Sequence, residues 1–196
     1  MKSAVCKCQS AVDFARDYVK RLTDLLNGLN FEEIDKVVQV LIDAKDRGAT
    51  IFFLGNGGSA ATASHFANDM GVCASPEGKK PFRAISLASN MAHVTCLGND
   101  MGYENIFAGQ LRNLMRPGDI VVAISASGNS PNAVKALEYA NQHGGTSVAI
   151  VGFFGGVMKR KAHHVIHVKS ETGEYGPVED VHMALDHLIS TYLAQV

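Results

Sequence analysis

At 196 residues, 46% hydrophobic and 19% charged, the chain carries enough apolar material for one sizeable core, which excludes disorder as its main character. Eighteen Lys and Arg face nineteen Asp and Glu for a net charge of -1, so the basic surplus of a nucleic-acid or anionic-membrane binder is missing. No apolar run approaches the roughly 20 residues that span a bilayer and no secretory block opens the chain, so a cytoplasmic protein is expected. Cys6, Cys8, Cys73 and Cys96 form no disulfide framework, and Cys6-Lys7-Cys8 lacks zinc-finger spacing, so all four read as reduced, minor thiols.

Ala11, Ala15, Tyr18, Leu22, Leu25 and Leu29 recur at steps of three and four and predict a first amphipathic helix. A second helix follows from Asn30, which can cap it in a box with Glu33; Ile34, Val38, Leu41 and Ala44 form its stripe, and Gly48 stands where a helix ends. Short apolar runs then succeed one another at Thr50 to Leu54, Phe82 to Leu87, Asp119 to Ser125, Ser147 to Val151 and Val165 to Val168. Helix-length segments separate them, one with the stripe Phe107, Leu111 and Leu114 and another with Ala133, Leu137 and Ala140, and a last helix is predicted from about Val178 to Leu193. Unbroken apolar strands alternating with helices are what a parallel sheet buried on both faces requires. The expectation is one α/β domain over 1–196, a three-layer α/β/α sandwich with a central parallel sheet and an N-terminal helical extension over about 10–47. Lys159-Arg160-Lys161 reads as a solvated helix end.

The first strand runs into Gly55-Asn56-Gly57-Gly58-Ser59 and then a helix. Backbone N–H groups of such a turn, with the helix N-terminus behind them, suit a phosphate, although a tight turn has the same composition. The pattern is neither the dinucleotide fingerprint nor the P-loop. A second polar segment, Ser125-Ala126-Ser127-Gly128-Asn129-Ser130, follows the third strand, and two such loops at carboxyl ends of strands point to one crevice. Lys79, Lys80 and Arg83 offer cations whose use is left open. His65 and Asp69, four residues apart, share a helix face and are able to share a metal ion or a proton. The last helix bears Glu179, Asp180, His182, Asp186 and His187, which suits either a site or a polar face beside a core stripe. In regular helix Glu179 and His187 lie about 12 Å apart along the axis, too far for one metal to take both easily, so either Glu179 precedes the first full turn or the two residues belong to sites assembled from different chains. Asn99-Asp100, after Leu97-Gly98, reads as a turn.

Taken together, Gly55 to Ser59, His65, Gly98-Asn99-Asp100, Ser125 to Ser130 and a terminal helix with His182 and His187 resemble the SIS (sugar isomerase) domain. More closely they resemble its phosphoheptose isomerase branch. The resemblance implies a flavodoxin-like fold, a homotetramer with sites at subunit contacts, and an aldose–ketose isomerase that converts D-sedoheptulose 7-phosphate through an enediol in glycan precursor synthesis. It implies one zinc per subunit, held by His65, Asp69, Glu179 and His187. Asp69 is then the base and His187 the acid or proton shuttle. Asn56, Gly57, Gly58, Ser59, Asn99, Asp100, Ser125, Ala126, Ser127, Ser130 and Glu179 contact the phosphorylated substrate. The chain departs from the pattern where Asp69 replaces the usual glutamate, Glu179 the usual glutamine and Ala126 a common threonine. The other implied possibilities are an isomerase of a different phosphosugar, or a non-catalytic binding protein like the DiaA-type relatives that associate with a replication initiator.

Overall fold

The computed structural model describes residues 10–196; Cys6 and Cys8 lie outside the described residues. Two helices come first, α1 (Ala11–Asn27) and α2 (Phe31–Arg47). Asn30 caps α2 by accepting from the Glu32 and Glu33 amides, but the reciprocal half of the box is not made, because the Glu33 carboxylate accepts instead from the His167 amide at 3.4 Å. Gly48 ends α2 at φ +71°, a left-handed conformation that costs glycine nothing.

Five strands follow, each parallel to its neighbours: β1 (Thr50–Leu54), β2 (Arg83–Ser86), β3 (Ile120–Ser125), β4 (Thr146–Val151) and β5 (His164–His167). Their order in space is β2-β1-β3-β4-β5. The side chains divide with period two. Ile51 and Phe53 of β1, Ile120, Val122 and Ile124 of β3, and Val148 and Ile150 of β4 face one core. Phe52, Leu54, Val121, Ala123, Ala149 and Val151 face the other. Both faces being dry, the alternation of polar and apolar residues seen in half-exposed strands is absent, and each fully buried Phe, Leu, Ile or Val contributes about 1.5–3 kcal/mol.

The first core is covered by α1, α2, α3 (Gly58–Gly71) and α8 (Tyr175–Leu193), and the second by α5 (Ala108–Leu114) and α6 (Pro131–Gln142) with Met158 of α7 (Gly156–Lys161). The sandwich is thus three layers deep. α1 is fastened to α8 by polar contacts: the Arg21 guanidinium donates twice to Glu174 at 2.7 and 2.8 Å, and the Tyr18 hydroxyl donates to Asp180 at 2.5 Å. The arginine holds the Glu174 carboxyl below the usual carboxylate range. The outer side of α1 stays bare, with Val12 and Val19 more than half exposed.

One helix differs from expectation. α4 (Met91–Met101) runs through Leu97-Gly98-Asn99-Asp100, the stretch expected to turn, and buries none of its side chains. Asn90 caps it by accepting from the His93 amide, and only Val94 and Leu97, partly buried, pack against the second core. No helix among the described residues is long and apolar enough to cross a membrane.

Candidate active site

The strand order reverses direction between β1 and β3, and the loops leaving these two neighbours flank the crevice where open α/β sheets take their ligands. Glycine makes the first loop possible: a Cβ on Gly55 would sit 2.6 Å from the Ser59 carbonyl oxygen, so no larger residue fits the turn from β1 into α3. In the second loop the Ser125 hydroxyl accepts from the Gly128 amide at 3.1 Å and lies 3.4 Å from the Ser130 hydroxyl, while the Ser127 hydroxyl accepts from the Asn129 amide. Gly128, at φ +64°, passes so close to the Gly155 carbonyl that any Cβ would overlap it.

Between the loops lies a cavity of about 190 Å³ lined by Asn56, Ser59, Ile124, Ser125, Ala126, Ser127, Ser130, Tyr175 and Glu179. Two helices start beside it, α3 behind Gly57 and α6 behind Ser130, and at neither start does the capping residue's side chain accept from a backbone amide. At α3 the Gly58 and Ser59 N–H groups remain available to an anion, whereas at α6 Pro131 has no N–H and the Ala133 amide donates to Asn132 Oδ1, which leaves the Asn132 N–H. Asn56 is fixed by a two-way amide pair with buried Asn132, each donating to the other at 2.9 Å, and accepts a third bond from the Tyr103 hydroxyl.

Further along α3, His65 and Asp69 meet His187 of α8, and the three are joined by Asp186. One ligand atom from each of these four residues lies within 4.8 Å of the others. The His65 and His187 Nε2 atoms are 3.1 Å apart with their rings edge to face, and Asp69 Oδ2 is 3.5 Å from His65 Nε2. Both histidines reach solvent, while Asp186 is fully buried and neither of its carboxylate oxygens has a hydrogen-bond partner. Burial first, and the nearby Asp69 charge second, push the Asp186 carboxyl up to about 7. Such a set of imidazole nitrogens and carboxylate oxygens is able to hold a divalent metal ion.

Of the residues expected from sequence, Asn56, Ser59, Ser125, Ala126, Ser127, Ser130 and Glu179 line the cavity, with Gly57 and Gly58 at the start of α3 beside it. Glu179 stands over that helix start, where a Cβ on Gly58 would come 2.3 Å from its carboxylate, and it is not one of the four clustered residues. Burial raises its carboxyl, with Asp180 adding to the effect. The Asn99 amide donates to Asp100 at 2.7 Å near the end of α4; both residues are exposed, and neither lines the cavity. Arg83 is bonded to Thr50 and Lys80 to the Asp46 carbonyl, at the amino ends of the strands and away from the loops. Sequence reasoning missed Tyr103, Asn132 and Tyr175, and it saw Asp186 without separating it from a polar helix face. The available signal for Asp186 was its place on the apolar side of α8, four residues after buried His182 and three before buried Ile189.

Comparison with known proteins gives a consistent result. The SIS domain family matches residues 15–152. The phosphoheptose isomerase of Akkermansia muciniphila is 38% identical over 157 residues, 80% of this chain and 82% of its own length. That of Mycobacterium bovis is 33% identical over 96% of this chain and 95% of its own. The solved structure of a phosphoheptose isomerase from Neisseria gonorrhoeae superposes with a TM-score of 0.84 at 27% identity, covering 95% of this chain and 97% of that one.

Proposed function

The chain belongs to the SIS-domain family and, within it, to the phosphoheptose isomerases, and from that premise we propose that it interconverts D-sedoheptulose 7-phosphate and D-glycero-D-manno-heptose 7-phosphate. The observation that carries the reading is the placing of two chemistries on one helix. Ser59, at the start of α3, faces the anion cavity, and six residues on, about 9 Å along the axis, His65 enters the metal-capable cluster. An extended seven-carbon sugar phosphate has a comparable length, so its phosphate is held by the two loops while its carbonyl end reaches the cluster.

In this reading the amides at the starts of α3 and α6 and the hydroxyls of Ser59, Ser125, Ser127 and Ser130 bind the phosphate, and Asn56 orients the chain of the sugar. The Asp69 carboxylate takes the proton from the carbon next to the carbonyl, and His187 carries a proton to and from the carbonyl oxygen, giving an enediol that collapses to the isomeric sugar. Asp69 is one methylene shorter than the usual glutamate, and a misplacement of about 1 Å costs on the order of 100-fold in rate, so turnover slower than that of relatives with glutamate is expected.

His65, Asp69 and His187 are the proposed holders of one zinc per subunit. What supports this is the spacing of the donors: nitrogens at about 2.0–2.1 Å from one tetrahedral zinc are about 3.3–3.4 Å apart, close to the 3.1 Å between the two imidazoles. When bound, zinc supplies Lewis-acid polarisation of the carbonyl. The bare outer side of α1, with Val12, Phe14 and Val19 exposed, supports a homotetramer, and the absence of a membrane-crossing helix among the described residues agrees with cytoplasmic work on glycan precursors.

The test is isomerisation of sedoheptulose 7-phosphate by purified protein with and without zinc, beside Asp69→Asn and His187→Ala. Zinc-dependent turnover lost in both variants is expected. A metal-loaded wild type that binds sugar phosphates without converting them refutes the isomerase reading in favour of a binding protein.

A further inference from the structure

We propose that Asp186 is a direct metal ligand in this chain, taking the place in the ligand set that the resemblance gives to Glu179. The inference rests on the reading that the His65, Asp69 and His187 cluster holds a divalent cation.

Asp186 is fully buried, and both of its carboxylate oxygens lack a hydrogen-bond partner. Leaving such a group unsatisfied is costly: an unpaired buried carboxylate loses its hydration and receives nothing in return. Its neighbourhood makes matters worse, because Asp69 is a second carboxylate in the same cluster, and among the described residues neither is ion-paired with a lysine or arginine. Two carboxylates and two imidazoles within 4.8 Å of one another, with no cation supplied by the protein, form an arrangement that a divalent ion satisfies at once.

Within its own chain Glu179 is badly placed for the same task, and a Glu179 reaching in from a neighbouring subunit is the competing arrangement that the Glu179→Ala variant tests. It lies two helical turns before His187 on α8, about 12 Å along the axis, with its carboxylate over Gly58 at the edge of the anion cavity. Asp186 adjoins His187, and α8 packs against α3, so all four groups of the cluster come from two adjacent helices of one chain. Glu179 is then left to shape the sugar phosphate end of the site.

The experiment is zinc binding to metal-free protein by competition with a chelating dye, together with the visible spectrum of the cobalt(II)-substituted protein, for wild type, Asp186→Asn and Glu179→Ala. Losing an outer-shell partner costs about 10–100-fold in affinity. Asp186→Asn should lose at least that much and also change the cobalt ligand-field bands, whereas Glu179→Ala should keep the wild-type affinity within about twofold and the wild-type spectrum; a comparable loss in Glu179→Ala overturns the replacement of Glu179 by Asp186. Should Asp186→Asn fail to fold, Asp186→Glu carries the test: its displaced carboxylate must alter the spectrum, and an unaltered one overturns the proposal. Wild-type protein that binds zinc while Asp186→Asn binds it equally and with the same cobalt spectrum overturns the assignment of Asp186 alone. Wild-type protein that binds neither metal overturns the metal reading beneath it.

Discussion

Gly48 and Gly128 have nearly the same positive φ, +71° and +64°, yet the structure gives them different surroundings. A Cβ at Gly48 would meet nothing within 4 Å, while at Gly128 it would lie 2.1 Å from the Gly155 carbonyl oxygen and 2.6 Å from its carbon. Gly48→Ala should therefore cost only the left-handed conformation, about 1–2 kcal/mol. Gly128→Ala bears the same cost plus the displacement of a backbone segment, and with about 1–3 kcal/mol for overpacking the total is about 2–5 kcal/mol. Urea unfolding of both variants at constant slope measures the difference directly. Because Gly128 also holds the serine loop in shape, stabilisation by added sugar phosphate should persist in Gly48→Ala and fall away in Gly128→Ala. Equal losses of stability in the two variants would refute the claim that the close approach to Gly155, and not φ alone, makes glycine obligatory in the serine loop.

Acid stability offers a second test. Burial lowers the His182 imidazole to about 4, so the unfolded chain takes up a proton below about 6.5 that the folded chain refuses until about 4. The His182 contribution is then full above pH 6.5 and falls by roughly 3 kcal/mol as the pH drops to 4; the raised Asp186 carboxyl acts with the opposite sign over the same range in metal-free protein, so the His182 effect is read as the difference between wild type and His182→Leu in unfolding midpoints taken across the range. The depressed Glu174 carboxyl withdraws its contribution only at lower pH, which keeps the two effects apart. Glu179→Gln removes a negative charge from the wall of the anion cavity and should lower the KM for a sugar phosphate by roughly 1 kcal/mol, or about fivefold. An unchanged or higher KM in steady-state assays would show that the carboxylate does not face the phosphate.

The central strands were legible because both of their faces are dry: Thr50 to Leu54 reads as an unbroken apolar run and is β1 to the residue, while edge strand β2 is largely exposed. The same burial made Asp186 hard to see, since on a helix with apolar residues on most sides a single acidic residue has no pattern to violate. α4 was missed for the opposite reason. With no side chain fully buried its stripe is short, Val94 and Leu97 alone packing on the core, and Gly98-Asn99-Asp100 in its last turns imitates a loop. The two loops that border the cavity were readable from composition, because tight turns and close backbone approach restrict a position to glycine and small hydroxyl residues. The Asn56–Asn132 pair was not, since its partners stand 76 residues apart and nothing in either neighbourhood announces the other.

The same separations govern how the chain gains its capabilities. The amide pair beside the proposed phosphate cavity closes over 76 residues, and the histidine contact of the proposed metal cluster closes over 122. The difference in loop-closure cost is only about 0.4 kcal/mol. Order of synthesis separates the two ends more sharply: a chain emerging from the ribosome has both β1 and β3 loops in hand once Asn132 has appeared, but has no histidine partner for His65 at the metal end until α8 follows. The proposed anion pocket is a property of the sheet, while the proposed metal cluster is a property of one helix docking on another, and any break in the Ser170 to Gly173 connection before α8 would separate the two.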